Sequence, residues 1–205
     1  MIDQPAERLV HLVDDDAAIR RSASFMLKTS GYHVQTYQSG VELLKAAGDL
    51  RQGCILLDIR MPGMDGLEVQ AALRDRGVTL PVIIMTGHGE ISLAVKAMKA
   101  GAVDFIEKPF AKETLKASLD EGFRRLSHEE VTGDRRKDAE VRLQALTSRE
   151  REVLNGLARG LPNKTIAYDL GISPRTVEIH RANLMTKLGI HSLSEALRLA
   201  FAAQG

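Results

Sequence analysis

The sequence predicts an α/β doubly wound parallel five-stranded sheet followed by a separate all-α domain. Three observations carry that expectation. Over residues 8–125, short apolar, β-branched runs alternate with amphipathic segments; the runs end in polar residues; and beyond about residue 146 the strand pattern vanishes while helix caps multiply.

The strand candidates are RLVHLV, YHVQTY, CILLD, PVIIMT and AVDFIE. The first helix candidate is AAIRRSASFMLKTS, in which Ile19, Ala23, Met26 and Leu27 recur at helical spacing before Gly31 stops it. Gly63 and Gly66 suit the turn after the third strand, and Gly101 the end of the fourth helix. Residues 126–143 read as a charged, partly helical linker broken at Thr132-Gly133-Asp134. LTSREREVLNGLARG then opens with Thr147 and Glu150 in a capping-box pattern. LPNKTIAYDLG stops at Gly171. ISPRTVEIHRANLMTKLG starts with Ser173 as cap and Pro174 at the first helical position, and ends before Gly189. A fourth helix begins near Ser192, with Glu195 making a second capping-box pattern. Two helices joined by a short glycine-containing turn are the helix-turn-helix signature. The expected domains are residues 1–125 and 144–205, joined by the linker.

The net charge of +1 hides a gradient: Lys and Arg against Asp and Glu leave −2 over residues 1–124 and +3 over residues 146–205. A mildly basic C-terminal part is compatible with nucleic-acid binding and falls short of demonstrating it. Cys54 is alone, which excludes an intramolecular disulfide framework, and its place in CILLD suits a small core hydrophobe. No apolar run approaches a membrane span and no signal-peptide core follows the N-terminus, so the expected location is cytoplasmic, without a membrane partner.

In a doubly wound sheet, ligands bind beyond the carboxyl ends of the strands. Those ends carry Asp14 and Asp15, Asp58, Thr86 and, after the last strand, Lys108. Carboxylates gathered around a small volume, with a lysine and a threonine beside them, suit Mg2+ and a phosphoryl group, because Mg2+ takes oxygen ligands and keeps room for water and phosphate. The three carboxylates sum to −3, which Mg2+ and Lys108 match. Asp16 suits the start of the first helix, whose positive end favours a carboxylate.

VDD, LDIRMPGMDG, the MTG run and the DFIEKPF run resemble the receiver domain of bacterial response regulators. The resemblance implies that Asp58 accepts a phosphoryl group from a partner sensor histidine kinase. It also implies that Asp15 and Asp58 hold Mg2+ directly, that Asp14 helps through water, and that the carbonyl of Arg60 completes the protein ligands. Thr86 would hydrogen-bond a phosphoryl oxygen, Lys108 would offset its charge, and the Lys108–Pro109 bond would be cis. Phe105 occupies the aromatic switch position without a phenol hydroxyl, and Arg60 and His88 fall where the family tunes phosphoryl lifetime. The receiver would promote its own phosphorylation and dephosphorylation, without being an enzyme in the ordinary sense.

The C-terminal helices resemble the LuxR-type helix-turn-helix. Val177, Leu184 and Leu188 are expected in its core. Arg175, Thr176, Glu178, Ile179, His180, Arg181, Asn183 and Lys187 include the residues expected to face DNA. By that resemblance Lys164, Thr176, His180 and Lys187 hold phosphates, while Glu178 and Ile179 lie nearest the base edges. The whole chain is similar to response regulators of the NarL/FixJ class. Membership would imply promoter DNA and RNA polymerase as partners. The closer likeness of AMKAGAVDFIEKPF and GLPNKTIAYDLGISPRTVEIHRAN to one branch of that class would imply a FixL-like, oxygen-responsive kinase and activation of nitrogen-fixation and microaerobic genes. It would also imply a homodimer in the phosphorylated state, for which Val95, Met98 and Lys99 mark the expected face. Three other readings stay open at this level. One is an aspartyl phosphohydrolase, for which VDDDAAI lacks the small-hydroxyl context. The others are a DNA-binding protein with a degenerate receiver and an output module for RNA or protein.

Overall fold

A computed structural model of the chain describes residues 8–87, 91–127 and 135–203. His88 and the expected break at Thr132-Gly133-Asp134 lie outside these residues. All five expected strands form: β1 (Leu9–Val13), β2 (His33–Tyr37), β3 (Cys54–Asp58), β4 (Val82–Thr86) and β5 (Asp104–Glu107). They pair in parallel in the order β2-β1-β3-β4-β5. Strands β1, β3 and β4 are buried at every residue, as a parallel sheet covered on both faces requires. Edge strand β2 instead exposes His33, Gln35 and Thr36 to solvent.

Around the sheet run α1 (Ala17–Thr29), α2 (Gly40–Lys45), α3 (Gly66–Asp75) and α5 (Lys112–Ser127), while α4 (Ile91–Lys99) lies between β4 and β5 in the chain. The helix α1 starts at Asp16, whose carboxylate accepts from the N–H groups of Ala18 (2.7 Å) and Ile19 (3.4 Å), and Ala23 and Leu27 are its buried residues. A core of Val10, Leu12, Leu27, Leu56, Ile83, Ile106, Leu115 and Leu119 lies between one face of the sheet, α1 and α5. Burying each such side chain is worth about 2 kcal/mol, against about 1 kcal/mol for a helix cap. Packing therefore sets the architecture, and caps trim its ends. At Gly122 of α5 a Cβ would meet the sulfur of buried Cys54 at 2.8 Å, so the glycine lets α5 settle against β3. Burial pushes that thiol up to about 12, which leaves it a core hydrophobe as expected.

His11 stands at the centre of β1, fully buried. Its Nε2 lies 2.9 Å from the carbonyl of Arg51 and its Nδ1 3.2 Å from the hydroxyl of Tyr37. A carbonyl only accepts, so Nε2 carries the proton and neutral Nδ1 accepts from Tyr37. Burial lowers the pKa of His11 from 6.5, the bond to the Arg51 carbonyl opposes that, and the Arg51 charge adds to it. The folded state thus prefers the neutral ring. The stability this contributes is complete above pH 6.5 and is lost as pH falls below it, because the unfolded chain takes up the proton first. Urea unfolding of the wild type, from above to well below that pH, is expected to show a larger loss of stability than the same titration of His11→Gln. Identical pH profiles would contradict this account.

By contact the chain divides into two compact units, Met1–His88 with Ala100–Glu129, and Gly89–Lys99 with Glu130–Gly205. The second comprises α4, α6 (Arg135–Leu143), α7 (Ser148–Ala158), α8 (Asn163–Leu170), α9 (Pro174–Leu188) and α10 (Leu193–Ala202). Thr147 and Glu150 complete both bonds of a capping box on α7. Ser192 caps α10 through the N–H of Glu195, but the Glu195 carboxylate takes the Ser192 hydroxyl at 3.1 Å, so the second expected box shows only its forward half. Gly171 and Gly189 end α8 and α9 with φ of 64° and 62°, a region closed to most side chains. The guanidinium of Arg142, in the last turn of α6, donates to the carbonyl of Leu188 at 2.7 Å and so seals the C-terminus of α9.

Candidate functional site

Sheet register assembles the acidic site. Val13 pairs with Leu57, so Asp14, the next residue, comes beside Asp58. Asp58 pairs with Met85, one residue before Thr86, and Thr86 pairs with Glu107, one residue before Lys108. Four strands thus deliver their terminal side chains to one edge. Gly66 permits it: a Cβ there would lie 2.5 Å from the carbonyl oxygen of Asp58. Its φ is not positive, so close approach is the need, while Gly63, with φ of 81°, makes the turn.

Asp14, Asp15 and Asp58 each offer an oxygen within 4.8 Å of the others. Asp14 is fully buried, Asp58 nearly so, and Asp15 is exposed. The ammonium of Lys108 bridges two of them, 2.7 Å from Asp14 Oδ2 and 2.8 Å from Asp58 Oδ1, and the Lys108–Pro109 peptide is cis. Asp14 Oδ1 accepts from the N–H of Asp16 at 2.8 Å, so both of its oxygens are engaged. Burial raises the pKa of Asp58. Lys108 works against that rise, Asp14 adds to it, and the backbone N–H of Arg60 donates to the carboxylate. Burial would lower the pKa of Lys108, but its bonds to Asp14 and Asp58 prevail and hold it above the usual value.

Three carboxylates and one ammonium leave a formal charge of −2 in a set of oxygen donors. That donor set fits a divalent, oxygen-loving cation such as Mg2+. Thr86 is buried, and its hydroxyl donates to the carbonyl of Ile106 at a long 3.4 Å. The Arg60 side chain is exposed, and Phe105 is half-buried.

On α9, Val177, Leu184 and Leu188 are buried. Arg175, Glu178, Ile179 and Asn183 are exposed at helical spacing on the outward stripe, and Lys164 is exposed on α8. Arg175 and Glu178 face each other as an exposed ion pair at 3.8 Å, and three more of the expected DNA-facing residues carry internal hydrogen bonds. The Thr176 hydroxyl lies 2.8 Å from that of the cap Ser173. Arg181 is half-buried and donates to Asn163 Oδ1 at 3.1 Å, with burial drawing its pKa down. Lys187 sits 2.8 Å from Oε2 of buried Glu150, and that bond is the main cause holding the Glu150 carboxyl below its usual range. Sequence reasoning assigned Glu150 to its capping box alone; a partner 37 residues away leaves no local signal. His180 is half-buried. Of the expected dimer residues, Val95 and Met98 are buried, and Lys99 places its ammonium 5.6 Å from the ring centroid of Phe201.

Residues 10–120 match the family model of the response regulator receiver domain, and residues 144–200 that of bacterial regulatory proteins of the luxR family. The chain is 47% identical over 193 residues to the transcriptional regulatory protein FixJ of Rhizobium meliloti (strain 1021), covering 94% of this chain and 95% of that protein. To the FixJ of Azorhizobium caulinodans it is 48% identical over 199 residues, covering 97% and 94%. Among solved structures it is similar to full-length FixJ from B. japonicum, with a TM-score of 0.59, 42% identity and 98% of each chain covered.

Proposed function

The chain belongs to the response regulators that join a receiver domain to a luxR-family DNA-binding domain, and from that membership we propose that it is a transcriptional activator switched by phosphorylation of Asp58. The observation that carries the reading is the convergence of Asp14, Asp15, Asp58, Thr86 and Lys108 at one sheet edge. The donor is the phosphohistidine of a partner sensor kinase. A carboxylate oxygen of Asp58 attacks phosphorus, an O–P bond forms as the P–N bond breaks, and the imidazole nitrogen keeps the electron pair. Asp15 and Asp58 would hold Mg2+, with Asp14 and the Arg60 carbonyl alongside. When bound, the ion neutralises charge on the transferring group. Lys108 stays beside Asp58 to meet the charge of the phosphoryl oxygens. The Thr86 hydroxyl, held only by a long bond, is available to turn toward one of them.

Phospho-Asp58 then stabilises a second receiver conformation relative to the first. Val95 and Met98 are buried here, so a homodimer through them and Lys99 requires α4 to move. In the active state the stripe on α9 enters the major groove of promoter DNA, where the bound protein meets RNA polymerase. Resemblance to the FixJ proteins extends the proposal to a FixL-like kinase, to nitrogen-fixation and microaerobic genes, and to the cytoplasm. No helix among the described residues is long and apolar enough to cross a membrane.

The test is a duplex-DNA titration of the full chain, with and without a small phosphodonor and Mg2+, alongside sedimentation. The expected result is a gain in affinity together with a shift to dimer; a monomer with unchanged affinity overturns the reading. In the same assay Glu178→Ala is expected to alter base preference, by about 1–3 kcal/mol at the contacted position. Lys164→Ala is expected to weaken all sequences alike and to reduce the salt slope by about one. Lys164 is the cleaner phosphate probe, because removing Lys187 also strands the Glu150 carboxylate.

A further inference from the structure

The acidic loop is held from outside by a residue that the phosphoryl-transfer reading does not use. Nη1 of Arg20, on α1, donates to the backbone carbonyls of both Asp14 (2.7 Å) and Asp15 (2.8 Å). The local structure explains how it gets there. Asp16 caps α1, Arg20 lies one turn further on, and helical side chains lean toward the N-terminus, which carries the guanidinium back over the loop.

The two peptides Arg20 grips are those of two of the three carboxylates in the acidic cluster. The Asp14 carboxylate is already fixed, by Lys108 on one oxygen and the Asp16 N–H on the other. Asp15 is exposed, and the clasp on its carbonyl restrains which way its backbone presents it. Because the guanidinium bonds carbonyls and not carboxylates, it leaves the acidic oxygens to a cation.

We propose that Arg20 is a positioning residue of the pocket, pinning the Asp14 and Asp15 peptides so that their carboxylates stay turned toward Asp58 for a divalent cation. This rests on the reading of the pocket as a Mg2+ site. A simpler effect has the opposite sign: a positive charge beside the loop repels the cation, and removing it tightens binding.

Calorimetric titration of the metal-free full chain with Mg2+ separates the two. Arg20→Ala is expected to bind about tenfold more weakly, the low end for residues that orient a metal's ligands. Arg20→Lys, which keeps a charged N–H donor on a stem one atom shorter, is expected to recover most of that loss. Melting in EDTA is expected to be unchanged in both; where alanine lowers it, Arg20→Met, which keeps the aliphatic stem, replaces it in the titration. Equal or tighter binding by the alanine or methionine variant overturns the proposal, as does a lysine variant no better than alanine. Wild-type protein that takes no Mg2+ sinks the pocket reading and the role of Arg20 together. Wild-type binding with an unaffected alanine variant sinks the role of Arg20 alone.

Discussion

Asp58→Asn is expected to fold normally and to lose every response to a phosphodonor. Asparagine matches aspartate in shape, and removing one charge from a crowded set of carboxylates relieves repulsion, so the metal-free variant should melt no lower than wild type. The amide oxygen, however, is no substitute for a carboxylate as the nucleophile, and no acyl phosphate forms. With acetyl phosphate and Mg2+ present, sedimentation and DNA titration of the variant should therefore coincide with those of untreated wild-type protein. A phosphodonor-dependent gain in DNA affinity that survives in Asp58→Asn would place the switch elsewhere.

The second large effect concerns stability. Lys108 supplies the cation that offsets Asp14 and Asp58, and Asp14 is fully out of solvent. Deleting one partner of a buried pair strands the other charge, at a cost of about 3 kcal/mol. Urea unfolding of Lys108→Ala in EDTA should show a loss of that size, and millimolar Mg2+ should restore much of it, because the same carboxylates then have another cation. A variant as stable as wild type in EDTA would mean that the carboxylates are neutralised some other way. A loss that Mg2+ leaves untouched would mean that the donor set does not hold the ion.

Much of the fold was legible because burial leaves a one-dimensional trace. Apart from buried His11 and the end residues Asp58 and Thr86, the runs LVHLV, CILLD and VIIMT are apolar, because β1, β3 and β4 are covered on both faces. Their polar end residues stood out against them, and the parallel alternation implied that those ends meet. The helix caps at Asp16, Thr147, Ser173 and Ser192 were equally readable, since a cap is a local bond between residues a few positions apart. What sequence reasoning missed is non-local or depends on direction. The Lys187–Glu150 bond joins two helices. The Arg20 clasp depends on the lean of one side chain, and Gly66 matters through an approach to Asp58 that no turn rule reveals. Placing Glu195 in a full capping box was a near miss of the same kind: the spacing was right, and the rotamer chose the Ser192 hydroxyl.

The pairing of Val13 with Leu57, Asp58 with Met85 and Thr86 with Glu107 does more than hold strands together. Side chains alternate faces along a strand, so a slip of a single residue would carry a terminal side chain about 3.3 Å along the sheet and turn it to the opposite face. No member of the set can drift while the others wait for it. The chemistry is thus an all-or-none gauge of sheet alignment. A lesion deep in the apolar strands that loosens one register would silence the regulator while most of its helices stay folded.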